Sequence, residues 1–206
     1  MEKFRRVEAA ALPFDQANCD TDQIVPARFL RKPRKVGYGQ FLFHDLRFDE
    51  SGAEKPGFVL NEAPYREARI LVADRNFGCG SSREHAVWAL YDFGFRAAIA
   101  PSFGDIFFNN SFQNGFLPIV LVDERCAELR RQLRERPGAP MAVDLEAQTV
   151  TAPDGSVDRF EIEPFRKECL LMGVDDIGFT LKQRDRIAEF ALGLEREMTW
   201  LQQESV

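Results

Sequence analysis

The sequence predicts one α/β domain with a parallel α/β core, antiparallel hairpins after it and a C-terminal helix. Three observations carry this. In the middle of the chain the short apolar runs 69–73, 97–100 and 116–122 alternate with breaker-free stretches of helical length. From residue 141 the pattern changes to strands joined by turn residues. Last, Ile187, Phe190, Ala191, Leu194, Met198 and Leu201 recur at helical spacing. No repeat and no composition break marks a linker, so residues 1–206 are read as one domain.

In order, residues 4–14 mix apolar and charged side chains up to Pro13 and read as a strand. Asn18-Cys19-Asp20-Thr21-Asp22 reads as a turn, because Asn and Asp side chains fold back onto nearby backbone. Pro26 then opens a short helical turn over residues 27–30. The basic stretch 31–39 and the Gly/Pro-rich stretch 50–64 are expected to be exposed, mobile loops.

After the strand 69–73, a Gly-rich turn over 76–82 leads into a helix from Arg83 to Tyr91 that stops at Gly94, with Ser81 or Ser82 as its N-cap. A strand over 97–100 follows. Ser102 is expected to cap a second helix that runs to about Gln113 and stops at Asn114-Gly115. The strand 116–122 and a helix over 124–135 complete the alternation, which in this order makes a right-handed parallel unit. Residues 141–145 and 148–152 can pair across Glu146-Ala147, and Pro153-Asp154-Gly155-Ser156 turns the chain into a strand over 157–163. Nineteen Phe, bunched at 41–43 and 103–116, read as core packing.

Composition excludes several function classes. The balance of 27 Lys+Arg against 33 Asp+Glu, without basic blocks, argues against a nucleic-acid duplex as partner. No apolar run approaches the roughly 18 residues of a membrane span. The start, Met1 to Arg6, leads into no apolar h-region, so a cytoplasmic location is expected. There are two His and four Cys; Cys19, Cys79, Cys126 and Cys169 lie more than forty residues apart with no C-x-x-C pair. That spacing argues against a zinc ribbon, a self-contained iron–sulfur site or a disulfide framework, so the chain is expected to carry no metal of its own.

The chemistry-bearing stretch is Gly78-Cys79-Gly80-Ser81-Ser82-Arg83-Glu84, between a strand and a helix, where ligands bind in open α/β sheets. Glycines let backbone approach a ligand, and the first N–H groups of the helix point at whatever sits there. Arg83 offers a planar fork for a carboxylate or phosphate, and Glu84 suits the same helix end. Generic motifs fit poorly. Arg83 stands where a dinucleotide fingerprint needs its third Gly, no Lys-Ser/Thr completes a P-loop, and no Gly follows either serine as a nucleophile elbow requires. Read from the residues alone, the turn is an anion site or a plain capped helix start. His85, one turn in, reads as a helix-packing residue rather than a catalyst, and His44 beside Asp45 is a weaker candidate still.

These residues carry a resemblance. The run from Asp74 to Ala86 resembles the Gly-Ser-Ser-Arg-Glu-His-Ala signature of the swivelling domain of the aconitase superfamily. Asp20 to Leu30 is similar to that domain's opening motif, and Ser102 to Asn110 with Gly115-Phe116-Leu117-Pro118 to its third block. With Gly37 to Phe43 added, nearly the whole chain resembles the bacterial isopropylmalate dehydratase small-subunit family.

The resemblance implies a swivelling β/β/α-type domain and a division of labour. A separate large subunit holds a [4Fe–4S] cluster, one iron of which acts as Lewis acid. This chain, with no cofactor of its own, closes over that site. The implied reaction interconverts 2- and 3-isopropylmalate by dehydration and rehydration, a step of leucine biosynthesis. By motif match Ser81 would be the base and Arg83 the carboxylate clamp, with Ser82 competing as base, cap or carboxylate ligand. Asp74, Asn76, Gly78, Gly80, Glu84 and His85 would support the turn. Phe29 and Leu30 offer apolar surface for an isopropyl group; Arg31, Lys32 and Arg34 would grip a carboxylate or form a solvated basic loop. The alternatives are the small subunit of a citramalate or homoaconitate hydratase, a free-standing dicarboxylate-binding module, and a serine hydrolase.

Overall fold

A computed structural model describes residues 1–198; the expected helix position Leu201 lies outside the described residues. Among the described residues seven strands form one sheet in the order β4-β3-β2-β1-β5-β6-β7. They are β1 (Arg6–Phe14), β2 (Ile70–Ala73), β3 (Ala97–Ala100), β4 (Leu117–Val120), β5 (Pro140–Asp144), β6 (Thr149–Thr151) and β7 (Val157–Arg159). The first four run parallel, and β5, β6 and β7 add antiparallel on the other side of β1. This is the α/β class read from the sequence, and β1 joins its parallel and antiparallel halves.

All four residues of β2 are buried, as a strand covered on both faces requires. Leu71 and Ala73 share one apolar cluster with Leu12, Phe14, Ala98 and Ala100. Ile70 and Val72 share the other with Ala11, Ala97, Ile99 and Ile119. Among the described residues the α-helices are α1 (Thr21–Ile24), α2 (His44–Arg47), α3 (Glu84–Phe93), α4 (Asp105–Gln113), α5 (Asp123–Glu135), α6 (Pro164–Met172), α7 (Asp176–Leu181) and α8 (Arg184–Glu197). Helix α3 covers the first face with Ala86, Val87 and Leu90. Helix α5 covers the second with Cys126, Leu129 and Leu133, and α4 contributes Phe107 to one cluster and Phe112 to the other. Each such buried Leu, Ile or Phe stabilises the fold by about 1.5–3 kcal/mol.

Several local expectations change. The first turn cluster keeps a turn at Asn18, but its last residues, Thr21 and Asp22, open a short helix, α1. Asp20 accepts from the Gln23 amide at 2.8 Å while Gln23 Oε1 accepts from the Asp20 amide at 3.0 Å. That capping box, hidden in Asp-x-x-Gln, outweighs the turn propensity. The turn after Pro26 forms as a single 3₁₀ turn over Ala27–Phe29. The basic loop is exposed only to Val36, whereas Tyr38 and Gly39 are buried. The Tyr38 amide donates to Asp92 Oδ2 at 2.8 Å, and a Cβ on Gly39 would lie 2.6 Å from the Phe93 amide nitrogen. In the 50–64 stretch, Leu60 is buried within a 3₁₀ turn.

The hairpin pairs as expected, Asp144 opposite Thr149, but the last strand ends at Arg159 rather than 163. Among the described residues the tail holds three helices, α6, α7 and α8, rather than one. Ile187 and Phe190 of α8 are exposed among the described residues. Among the described residues no helix is long and apolar enough to cross a membrane.

Candidate active site

Beyond Phe14 and Ala73, the last residues of β1 and β2, the chain leaves the sheet in two loops that meet again. The Asn18 amide donates to the Arg75 carbonyl at 2.9 Å, the Gly78 amide to the Cys19 carbonyl at 2.7 Å, and the Thr21 amide to the Cys79 carbonyl at 2.9 Å. On the far side the Phe77 amide donates to the Ser102 carbonyl at 3.1 Å and the Gly104 amide to the Phe77 carbonyl at 3.0 Å. The Gly-rich turn is therefore held by backbone on both flanks, at the carboxyl ends of three parallel strands. Gly78 has φ +73°, and a Cβ there would lie 2.3 Å from Phe107 Cγ, so only glycine fits. Asn76 takes the left-handed conformation too, at φ 58°. Its amide donates to Ser102 Oγ and its Nδ2 to Asn18 Oδ1, each at 2.9 Å.

The start of α3 corrects the capping expectation. The N-cap is Arg83, in extended conformation and without a side-chain cap; neither Ser81 nor Ser82 serves. Both serines are exposed, and Thr21 Oγ1 donates to the Ser81 carbonyl at 2.9 Å, so the backbone of Ser81 is held while its side chain makes no hydrogen bond among the described residues. Ser102 likewise caps no helix. Its hydroxyl is used by Asn76, and α4 starts after Gly104, whose missing side chain lets it pass the Gly78 carbonyl. Glu84 lies in the first turn of α3, where a carboxylate suits the helix end, and accepts from Asn114 Nδ2 at 2.8 Å.

Arg83 reaches back to the segment after β1. Its Nη1 donates to the Asp22 carboxylate and, at 3.3 Å, to the Val25 carbonyl. The guanidinium holds the Asp22 carboxyl below the usual carboxylate range. Nε and Nη2 have no hydrogen-bond partner among the described residues, which leaves one edge of a largely buried fork for a ligand. Beside the turn lies a cleft of about 290 Å³ bordered by Asn76, Gly80, Phe103, Asp105 and Ile106.

All four cysteines are free thiols. Cys19, Cys126 and Cys169 are buried, and burial pushes their thiols up, that of Cys126 to about 12. Cys79 is half-buried and donates to the Asn18 carbonyl at 3.5 Å. No group of three His, Cys, Asp or Glu is placed to hold a metal ion among the described residues.

Comparison with known proteins shows the family. Residues 1–124 match the aconitase C-terminal domain family, and residues 127–164 match the LeuD_N family. The 3-isopropylmalate dehydratase small subunit of Parvibaculum lavamentivorans is 50% identical over 201 residues, 98% of this chain and 100% of that one. Its counterpart from Rhodospirillum centenum is 52% identical over 200 residues, 97% of this chain and 98% of that one. The chain belongs to the 3-isopropylmalate dehydratase small-subunit family. A solved structure of 3-isopropylmalate dehydratase (leuD) from Methanocaldococcus jannaschii shares the fold, with TM-score 0.64 and 26% identity over 90% of this chain and 99% of that one.

For a member of the dehydratase small-subunit family, the fold brings some of the expected site residues together and leaves others apart. Ser81, Ser82, Arg83, Asn76, Gly78 and Gly80 meet in one turn. Asp74 stands at its root, accepting from the Arg75 amide at 2.6 Å. Phe29 is half-buried and stacked on Phe41 at 4.4 Å, and Leu30 packs against the core. Arg31 is exposed, and it makes no ion pair or side-chain hydrogen bond among the described residues. Arg34 is engaged elsewhere: its Nη2 lies 3.2 Å from Asp92 Oδ1 and its guanidinium 4.4 Å from the Trp88 ring centre, docking the loop on α3. His85 sits 4.5 Å from the Trp88 ring and 5.2 Å from Tyr38, and burial pushes its imidazole below the ordinary value. His44 lies beside Asp45, whose carboxyl is lowered to about 2 chiefly by Arg28.

Sequence reading missed Asp22, Thr21 and Ser102 as supports of the dehydratase-family turn. Their long-range partners are sixty or so residues away along the chain for Asp22 and Thr21, and twenty-six for Ser102. Only the Asp at the second position of α1, with no local basic partner, gave any signal.

Proposed function

We propose that this chain is the small subunit of a two-subunit 3-isopropylmalate dehydratase, a hydro-lyase of leucine biosynthesis that interconverts 2- and 3-isopropylmalate. The observation that carries this reading is full-length identity near 50% to small subunits of that name, joined to a Ser81-Ser82-Arg83 turn built at the strand ends. Citramalate and homoaconitate hydratases, a free-standing binding module and a serine hydrolase are not favoured by those relatives.

The partner is a large subunit, and the [4Fe–4S] cluster belongs to it, following the division of labour implied by the family resemblance. When bound, such a cluster supplies Lewis acidity toward a hydroxyl and a carboxylate. The residues of this chain do the rest. Ser81 Oγ, as alkoxide, takes the proton from the substrate carbon while the neighbouring hydroxyl leaves as water with a proton from an acid group of the partner subunit, giving the enediacid; on rehydration Ser81 gives its proton to the other carbon and the partner's acid group takes one from the added water. A serine alkoxide is costly in water, so Arg83 and the uncapped first amides of α3 stabilise it once the partner excludes solvent. The free edge of Arg83 holds a substrate carboxylate, while Asp22 keeps the guanidinium plane in place. Ser82 supplies a second hydroxyl to that carboxylate. Phe29 and Leu30 border the isopropyl group and Arg31 the remaining carboxylate. The chain works as one domain, in the cytoplasm.

Mixing tests the reading. The purified chain alone should bind no iron and isomerise nothing, and adding reconstituted large subunit should restore absorbance change at the enediacid band with isopropylmalate. Isomerase activity from the isolated chain, or preference for citramalate or homocitrate in the pair, would overturn it.

A further inference from the structure

We infer that Arg130, on the buried face of α5, is a positioning residue for the Ser81–Arg83 turn; the inference rests on the reading of that turn as catalytic. The Arg130 side chain is only 7% exposed and lies among Cys126, Leu129 and Leu133 on the face that packs on the sheet. Its Nη1 donates to the Ala73 carbonyl at 2.8 Å and its Nε to Asp15 Oδ1 at 2.9 Å, while Nη2 lies 3.3 Å from Asp74 Oδ2. Arg134, one turn on, pairs with the other Asp15 oxygen.

Those partners share one place in the fold. Phe14 and Ala73 are the last paired residues of β1 and β2, and Asp15 and Asp74 are the first residues of the two diverging loops. One loop carries Asp22, the other Ser81 and Arg83. Arg130 thus fastens both loops at the root, as the Arg83–Asp22 pair fastens them further out. Packing alone does not ask for a guanidinium here, since an apolar side chain of similar volume fills such a site without the cost of desolvating a charge. What the guanidinium adds is a rigid plane with three separately directed contacts, which fixes the angle between the loops. A displacement of the turn by about 1 Å would cost on the order of a hundredfold in rate, so even partial loosening should be measurable.

The same helix supplies a control. Arg125 is also poorly exposed and donates to Asp158 Oδ2 at 2.8 Å, but it ties α5 to β7, away from the turn. The experiment measures kcat and KM in the complex reconstituted with large subunit, together with Tm, for Arg130→Met, Arg130→Lys, Asp15→Asn, Arg125→Met and Ser81→Ala. Assays are run where circular dichroism shows folded protein and gel filtration shows assembled complex.

Arg130→Met should lower kcat by about tenfold or more with KM within about twofold, and Arg130→Lys should recover part of the loss. Arg125→Met, at comparable loss of Tm, should keep kcat within about twofold. Wild-type kcat in Arg130→Met, or an equal kcat loss in Arg125→Met, would overturn the inference. If Arg130→Met does not fold, Asp15→Asn decides, because its half-exposed carboxylate can be neutralised without leaving a cavity: lowered kcat supports positioning and unchanged kcat overturns it. Full activity in Ser81→Ala would instead remove the catalytic reading of the turn, a failure distinct from that of Arg130.

Discussion

Arg83, the N-cap of α3, is paired with Asp22, the second residue of α1, so the turn that carries Ser81 is locked to the segment following β1. The same Asp22 carboxylate accepts from the Ala27 amide at 2.8 Å. One carboxylate thereby links the Gly-rich turn to the loop holding Phe29 to Arg34, two regions separated by about half a hundred residues of sequence.

Replacing Asp22 tests this link. Asp22→Asn keeps the shape but removes the charge that orients Nη1, so KM for isopropylmalate should rise about tenfold, the equivalent of a charge-assisted hydrogen bond weakened by roughly 1.4 kcal/mol. Fold and Tm should barely change, because the carboxylate is more than half exposed. The pH dependence has a definite sign. Arg83 lowers the Asp22 carboxyl in the folded state. The pair therefore contributes stability above the ordinary Asp value of about 3.9, and loses it as pH falls through the lowered one.

Gly78→Ala should be among the most damaging single-methyl changes. The new Cβ would meet the Phe107 ring, which is itself packed on Phe77 at 5.5 Å and cannot withdraw freely, and φ +73° adds strain. Overpacking of this kind costs about 1–3 kcal/mol, and the left-handed backbone a further 1–2 kcal/mol. Chemical denaturation of the isolated chain should show a matching loss, with little activity left in the reconstituted complex.

Asp92 holds both Arg34 and the Tyr38 amide, so Asp92→Asn should release the 31–38 loop from α3. Trypsin should then cleave after Arg31, Arg34 or Lys35 several times faster. Trp88 emission, read in a Trp200→Phe background, should shift to the red as the Arg34 guanidinium leaves its ring. Unchanged cleavage would show that Phe29 and Tyr38 hold the loop without Arg34.

His85 should titrate below the ordinary imidazole value of about 6.5, because it is partly buried against Trp88 and Tyr38. The unfolded chain then binds its proton at higher pH than the folded one. Stability contributed by neutral His85 is full above about 6.5 and declines as pH falls below it. In His85→Phe the acid limb of the stability profile should flatten in that region, and proton-detected titration of the His85 imidazole in the unsubstituted chain should show its lowered value.

Much of the core was legible in the sequence. The runs around Ile70–Ala73 and Ala97–Ala100 are unbroken and apolar because both faces are covered, and Gly94 ends α3 at φ 127°, a conformation that glycine enters freely. What stayed hidden depended on distant partners. Nothing near Arg130 announces that it will be buried against Asp15 and Asp74, except that it falls in line with the apolar side of α5. Ser82 looked like a cap, but Thr21 pins the Ser81 carbonyl and draws Arg83 into the extended position instead. Tyr38 looked like loop and is core, because Asp92 lies fifty-four residues downstream to receive its amide. The serines and Arg83 stood out through their motif; their supports did not.

The most direct test is a comparison of Ser81→Ala with Ser82→Ala, each assembled with large subunit and assayed with isopropylmalate under saturation. Ser81→Ala should lose turnover by at least about a hundredfold, as removal of a general base does, while assembly and KM are retained; Ser82→Ala should lose much less. Retained turnover in Ser81→Ala, or the larger loss in Ser82→Ala, would contradict the assignment of the base.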